Sequence, residues 1–244
     1  MDLMRAILAM AILGFASAAA EPNAEDKAAL EIPSEAAPEV SIEELLDADN
    51  AAWRAVPAFA VHFNRTPPVY ATDTKDDGDR PSMTVQVLRL PSNDVVFRVQ
   101  WQDPTAEQVA SGARFPDSGE DHIYKSHSTA TDTFPDAFCI MVPKQRGQHL
   151  SYPSMMMGEG SNPVDLYYWK AGKGFELLNA HGRATTAAVA EEIRGSARRV
   201  ADDWTVTMAL PNLTSQTPVC FALWNGDKDH RDGLKYFSLW YEVE

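Results

Sequence analysis

Cysteine is scarce in this chain, with two residues among 244, and the sequence contains no Cys-x-x-Cys-His motif. That motif attaches c-type haem covalently, so its absence excludes a c-type cytochrome. Cys139 and Cys220 both lie in apolar, strand-like runs. In an oxidising compartment they can form a disulfide, and as free thiols they would pack as small buried groups. The sequence leaves both arrangements open.

Basic residues are also few. The sequence has 21 Lys and Arg compared with 35 Asp and Glu, which gives a formal net charge of −14. No basic stripe and no glycine-rich phosphate-binding motif is present in the sequence. An acidic surface repels phosphate backbones, so these features argue against nucleic acid as a partner. The acidity fits a basic electron carrier such as a c-type cytochrome, or it serves solubility alone.

Long hydrophobic runs are missing too. The main apolar stretch, residues 6–15, follows Arg5 and precedes small residues up to Ala20. It is shorter than the roughly 20 residues that span a bilayer, and its flanks are typical of a secretory signal. We therefore predict a signal peptide over residues 1–20. The predicted signal peptide lacks a twin-arginine pair, so we expect a soluble domain exported to the periplasm by the general secretory route.

Composition divides the remaining chain into two parts. Residues 21–40 are rich in Glu, Ala and Pro, which predicts a disordered acidic segment. Residues 41–244 are predicted to form one domain, of ordinary length for a β-rich fold. Ser41 and Glu44 form a capping-box pattern, which predicts a short helix at its start.

Strand patterns dominate the predicted domain. Thr84–Leu90 and Val95–Trp101 alternate around a Pro-Ser-Asn-Asp turn, which predicts a hairpin. A further helix is expected over Thr186–Ile193. Further strands are predicted at Ala137–Val142, Val164–Lys170, Trp204–Leu210, Val219–Trp224 and Tyr236–Val243. Many short strands with frequent turns favour a mainly β fold, an antiparallel β-sandwich with one or two short helices.

Methionine and lysine supply two candidate ligands. Met155, Met156 and Met157 lie in a Pro- and Gly-flanked segment, where they are either flexible core filler or soft thioether donors. Lys235 lies before a predicted strand and by pattern alone is a surface residue. A lysine binds iron only as the neutral amine, so such a role requires a buried position.

The other polar and aromatic candidates are weaker. Histidine is the usual ligand of haem b, but the histidines considered lie in polar, loop-like sequence: His122, His127, His149, His181 and His230. The side chains of Tyr167, Tyr168 and Trp169 cannot all face one side of a strand. Trp101 ends a predicted strand, and we expect it to pack in the core.

Several segments together resemble a known family. They are Phe134–Ala137, Ser151–Gly158 leading into Pro163–Lys170, Phe221–Gly226 and Gly233–Trp240. In these segments the chain resembles the haem b-binding gamma subunit of type II dimethyl sulfoxide reductase family enzymes. That family includes dimethylsulfide and ethylbenzene dehydrogenases and selenate and chlorate reductases.

The resemblance implies one non-covalent haem b with Met157 and Lys235 as axial iron ligands. Met155 and Met156 remain alternatives to Met157. It further implies a non-catalytic subunit of a heterotrimer, with a molybdopterin-containing alpha subunit and an iron–sulfur beta subunit. The chain would relay electrons between the iron–sulfur subunit and a soluble carrier, as in a dimethylsulfide dehydrogenase-type complex.

Two other functions fit the residues. A secreted β-sandwich with exposed aromatic side chains is typical of carbohydrate-binding modules. A periplasmic copper protein would use the three methionines with His149, because thioethers select Cu(I).

Overall fold

A computed structural model describes residues 31–67, 78–108, 134–146, 152–228, 230 and 233–244. The predicted signal peptide lies outside these residues. The helical elements are α1 (Ile42–Leu46) and two 3-10 helices, Ala51–Ala55 and Gly226–Lys228. The strands are β1 (Glu31–Ile32), β2 (Glu35–Ala36), β3 (Phe59–Val61), β4 (Asn64–Arg65), β5 (Met83–Arg89), β6 (Val95–Gln102), β7 (Ala137–Pro143), β8 (Val164–Lys170), β9 (Gly174–Ala180), β10 (Ala187–Ala188), β11 (Gly195–Val200), β12 (Asp203–Leu210), β13 (Thr217–Trp224), β14 (Tyr236–Phe237) and β15 (Tyr241–Val243).

Two sheets form the fold. The large sheet runs β1-β15-β13-β7-β8-β9-β10, with β14 pairing to β13 and β4 to β14. The small sheet runs β11-β12-β6-β5-β2, with β3 also pairing to β5. All pairs are antiparallel except β1 with β15 and β2 with β5. The predicted antiparallel β-sandwich is confirmed.

The main core lies between the two sheets and is rich in aromatic rings. Trp101 of β6 and Trp204 of β12 stack at 6.3 Å between ring centroids, and Trp169 of β8 meets Trp204 edge-on at 4.8 Å. Phe138 of β7 stacks on both Trp101 and Phe221 of β13. Trp101 is thus a core residue, as predicted. This core fixes the orientation of β7, β8 and β13, whose opposite faces carry the candidate site.

A second apolar layer covers the outer face of the small sheet. Ile42 and Leu45 of α1 pack there with Trp53, against Leu88 and Val96. Because side chains alternate along a strand, a strand whose residues are buried on both sides must be covered on both faces. The short helix supplies that cover.

The capping box that opens α1 is confirmed. The Ser41 hydroxyl accepts a hydrogen bond from the Glu44 amide at 3.2 Å, and the Ser41 amide donates to the Glu44 carboxylate at 2.8 Å. These two bonds satisfy main-chain groups that a helix start otherwise leaves without partners.

Ser41→Ala is expected to lower the free energy of unfolding by about 1 kcal/mol, because the helix loses its N-cap. Urea unfolding followed by far-UV circular dichroism measures the change. Ser196→Ala on β11 is the matched surface control and is expected to have little effect. Equal losses in both variants would contradict a specific capping contribution.

Two predicted segments differ from the structure. Residues 31–40, predicted to be disordered together with residues 21–30, include β1 and β2, and Ile32 is completely buried. Residues 21–30 lie outside the described residues. The helix expected over Thr186–Ile193 is wrong: its Ala187–Ala188 pairs with β9 as β10. Sheet pairing overrides the helical preference of an Ala- and Glu-rich stretch.

Among the residues that the structure describes, we find no helix with the length and apolar character needed to cross a bilayer.

Candidate functional site

The outer face of the large sheet carries an apolar cluster separate from the main core. We call it the outer cluster, and its buried members are Cys139, Met141, Val164, Leu166, Ala180, Cys220 and Trp240. Strand register explains the grouping, because Cys139 pairs with Tyr168 and Met141 with Leu166 across β7 and β8. Their chain neighbours point the other way, into the main core. The large sheet therefore presents a second apolar surface, on the side away from the small sheet.

The methionine segment lies over this surface. Met155 and Met157 pack against the outer cluster, whereas the side chain of Met156 is half exposed, at 50%. Thr186 donates a hydrogen bond from its hydroxyl to the Met157 sulfur at 3.7 Å. The packing favours Met155 or Met157 over Met156 as a donor toward this face.

The backbone at Met157 has an uncommon conformation. Its φ is +68°, and Gly158 follows at +73°. A left-handed non-glycine residue costs about 1–3 kcal/mol and persists only where its surroundings fix it. The fixing contacts include the Gly182 amide donating to the Met157 carbonyl at 2.9 Å. A Cβ at Gly158 would lie 2.8 Å from the Asn162 carbonyl oxygen, so only glycine fits beside Met157.

Lys235 reaches the same face from the β13–β14 side. Its amide donates to the Thr66 hydroxyl at 2.9 Å, and its carbonyl accepts from the Thr66 amide at 2.9 Å. Its Nζ lies 5.3 Å from the ring centroid of Trp224, which packs against the outer cluster. The main chain is thus fixed while the half-buried ammonium group rests on an aromatic face.

The structure places the two predicted ligands at the same surface from two sides. Met157 is held by Gly182 and Thr186, which flank the end of β9 and β10, whereas Lys235 directly precedes β14. The outer cluster lies on the strands between them. Coordination of one iron by both side chains stays a prediction.

Aromatic residues border this surface as alternation predicts. Tyr168 faces outward with the outer cluster, while Tyr167 and Trp169 belong to the main core. Tyr168 meets Trp224 edge-on, with centroids 5.4 Å apart. On another side the indole of Trp240 donates to the Pro153 carbonyl at 3.1 Å and ties the methionine segment to the sheet.

Comparisons with known proteins identify the family of this chain. Residues 50–213, more than half of the chain, match the family model described as ethylbenzene dehydrogenase. This chain belongs to the ethylbenzene dehydrogenase family. The match confirms the resemblance predicted from the sequence. The matched region includes Met157, whereas Lys235 lies beyond it.

Three curated relatives of this family member are similar over most of its length. One, provisionally named respiratory nitrate reductase heme subunit ORF7, from Haloferax mediterranei, is 28% identical, covering 83% of this chain and 71% of the relative. The dimethylsulfide dehydrogenase subunit gamma of Rhodovulum sulfidophilum is 28% identical, covering 79% and 72%. The chlorate reductase subunit gamma of Ideonella dechloratans is 26% identical, covering 66% and 64%.

Both cysteines of this family member are free and buried in the outer cluster. Cys139 pairs with Ala222 and Cys220 with Met141, so the two thiols are diagonal neighbours on β7 and β13. Burial raises the pKa of Cys220 to about 12 and that of Cys139 further, and the nearby Lys235 offsets little of this. The thiols are therefore protonated at neutral pH and form part of an apolar wall.

The histidines divide into those that the structure describes and those that it does not. His122, His127 and His149 lie outside the described residues. His181 is exposed. His230 lies in a loop, as predicted, but it is 1% exposed, so the polar surroundings predicted for it are wrong. Its Nδ1 accepts from the Asn225 amide at 3.3 Å and its ring packs on Tyr236, a main-core residue. His230 therefore packs beside the main core.

One cluster was not predicted. Carboxylate oxygens of Asp103, Glu107 and Asp136 lie within 4.8 Å of one another beside the main core. Asp136 is completely buried and accepts hydrogen bonds from the Trp204 indole at 3.2 Å and the Gly226 amide at 3.0 Å. Burial, reinforced by the two neighbouring carboxylates, raises the pKa of Asp136 to about 7. The sequence contains one signal of this cluster: in Phe134–Ala137 the acidic residue Asp136 directly precedes the fully apolar strand β7.

Proposed function

We propose that this chain is a haem b-binding, non-catalytic electron-transfer subunit of a molybdoenzyme complex. The observation that carries the proposal is the placement of Met157 and Lys235 beside one apolar surface. The names of the relatives support it, since one is called a heme subunit and two are called gamma subunits.

The residues present fit a haem. The outer cluster offers an apolar wall against which a flat macrocycle can pack. Aromatic rings at its border, Tyr168 and Trp224, add a large contact area. A thioether and an amine from separate segments give two donors, and the exposed Met156 does not compete for the same surface. We propose that Met157 and Lys235 would hold the haem iron.

The chain's own residues would control the group. When bound, the haem supplies one-electron redox chemistry. Met157 would hold iron through a soft neutral donor that favours the ferrous state. Lys235 would bind iron only as the neutral amine, so the iron would have to displace the proton that the contact with the Trp224 ring favours. The buried thiols of Cys139 and Cys220 would keep water out of the apolar wall that the outer cluster forms.

The rest of the assembly is proposed on the same basis. An iron–sulfur subunit would exchange electrons with this chain, and a molybdopterin subunit would carry the catalysis. A soluble c-type cytochrome, attracted to a chain of net charge −14, would serve as the external carrier. Residues 1–20 would direct export to the periplasm.

The first test is the colour of the purified full-length chain. We expect a Soret band and a low-spin, six-coordinate spectrum, with a haem that acid–ketone extraction removes completely because no covalent attachment motif is present. The pyridine haemochrome identifies the extracted group as haem b. A folded chain that stays colourless after incubation with iron protoporphyrin IX would exclude the proposal. Copper binding by that colourless chain would then favour the copper alternative.

A further inference from the structure

A row of two lysines and two aromatic rings lines one border of the outer cluster. Lys170 Nζ lies 5.2 Å from the ring centroid of Tyr168. Tyr168 meets Trp224 edge-on at 5.4 Å, and Lys235 Nζ lies 5.3 Å from the Trp224 ring. We call these four residues the lysine–aromatic row. Two lysine side chains are therefore held at one edge of an otherwise apolar surface.

Strand register places Lys170 on this face. Lys170 ends β8 and pairs with Ala137 of β7, which in turn pairs with Trp224 of β13. Tyr168 lies two residues earlier, so its side chain and that of Lys170 point to the same side of the sheet. Lys170 is half-buried there, and its aliphatic stem can cover apolar surface while the charge stays at the rim.

The chemistry of the proposed cofactor requires such a charge. Haem b carries two propionate carboxylates, and the wall formed by the outer cluster offers them no cation. The chain as a whole is strongly acidic, so it repels a dianion unless a local positive charge compensates. Lys235 is already assigned to iron as a neutral amine. Lys173, in the turn after β8, forms an ion pair with Glu176 at 2.8 Å.

We propose that Lys170 binds a propionate carboxylate of the haem. This inference rests on the proposed function and adds a residue that recognises the periphery of the cofactor. The Tyr168 ring holds the ammonium group at the border through a cation–π contact, so little side-chain freedom is lost on binding. A charge-assisted hydrogen bond to a carboxylate is among the stronger polar contacts in proteins.

The test compares two porphyrins that differ only in the carboxylates. The full-length chain is loaded with iron protoporphyrin IX or with its dimethyl ester, in which neutral esters replace both propionates. Transfer to excess apomyoglobin measures release of the first, and spectral titration measures affinity for both. Lys170→Met is expected to weaken binding of iron protoporphyrin IX about tenfold, equivalent to 1.4 kcal/mol. Its affinity for the ester should equal that of the wild type.

Matched variants make each outcome decisive. Lys173→Met removes a neighbouring lysine and is expected to change neither affinity, while Lys170→Arg keeps the charge and should keep tight binding of iron protoporphyrin IX. Lys170→Gln repeats the test if the methionine variant does not fold. Equal weakening for both porphyrins, or no weakening for either, overturns the assignment of Lys170. If the wild-type chain binds neither porphyrin, the proposed function fails instead.

Discussion

Met157→Ala and Lys235→Ala are each expected to convert the low-spin, six-coordinate haem to a five-coordinate, high-spin form. In the proposed function each substitution removes one of the two iron donors and leaves the other in place. Loss of the thioether should also lower the reduction potential, because that donor favours ferrous iron. The double variant is expected to retain haem at least tenfold more weakly, since it keeps only the apolar contacts and the proposed contact of Lys170.

The methionine segment supplies its own matched control. Met156→Ala changes an adjacent methionine whose side chain is half exposed, so its spectrum should match the wild type. Alanine at position 157 keeps a non-glycine residue at positive φ, so the comparison reports the side chain and not release of backbone strain. Optical and electron paramagnetic resonance spectra give the spin state. A normal spectrum for both Met157→Ala and Lys235→Ala would exclude the ligand pair, and a high-spin Met156→Ala would move the ligand by one residue.

The strands that alternation predicted are those with a clear apolar face. The hairpin of β5 and β6 and the strands β7, β8, β12 and β13 appear within one or two residues of the expected bounds. The last predicted strand, Tyr236–Val243, is divided into β14 and β15 around Ser238–Trp240. Ser238 explains the break, because its hydroxyl accepts from the Phe221 amide at 2.9 Å in place of a ladder carbonyl.

The elements that were missed lack that signal. β11 has the sequence Gly-Ser-Ala-Arg-Arg-Val and lies at a sheet edge, so polar residues face solvent and no alternation is visible. β1 contains two residues and is held by parallel pairing to β15 and by burial of Ile32. Composition cannot reveal a backbone pairing formed with a strand about 210 residues away.

The candidate site also has parts that the sequence predicted and parts that only the structure reveals. Met157 and Lys235 were identified through a family resemblance, and only the topology reveals that their segments meet one surface. The contact between the Lys170 ammonium group and the Tyr168 ring follows from strand register and is not visible in the sequence. The three carboxylates of Asp103, Glu107 and Asp136 come from two segments, one after β6 and one before β7, and no local pattern links these two segments.

Asp136 is expected to make the stability of the fold depend on pH around neutrality. The unfolded chain releases this proton near pH 3.8, whereas the folded protein keeps it up to about pH 7. Between these values the folded state binds more protons, so the free energy of unfolding falls as pH rises. The contribution is fully present below the unfolded pKa and is lost through about pH 7, and three pKa units correspond to about 4 kcal/mol.

Asp136→Asn removes this titration while an amide retains the shape and hydrogen-bonding capacity of the protonated acid. Urea unfolding of the wild type from pH 5 to 8 should show a decline of about 2–3 kcal/mol from this group, and the variant should lack that decline. The other ionisable groups are present in both proteins, so the difference between the two curves reports Asp136. Asp79→Asn, at an exposed carboxylate, is expected to follow the wild type. Parallel curves for the wild type and Asp136→Asn would mean that the buried carboxyl is already ionised at pH 5, and that the donors from Trp204 and Gly226 outweigh its burial.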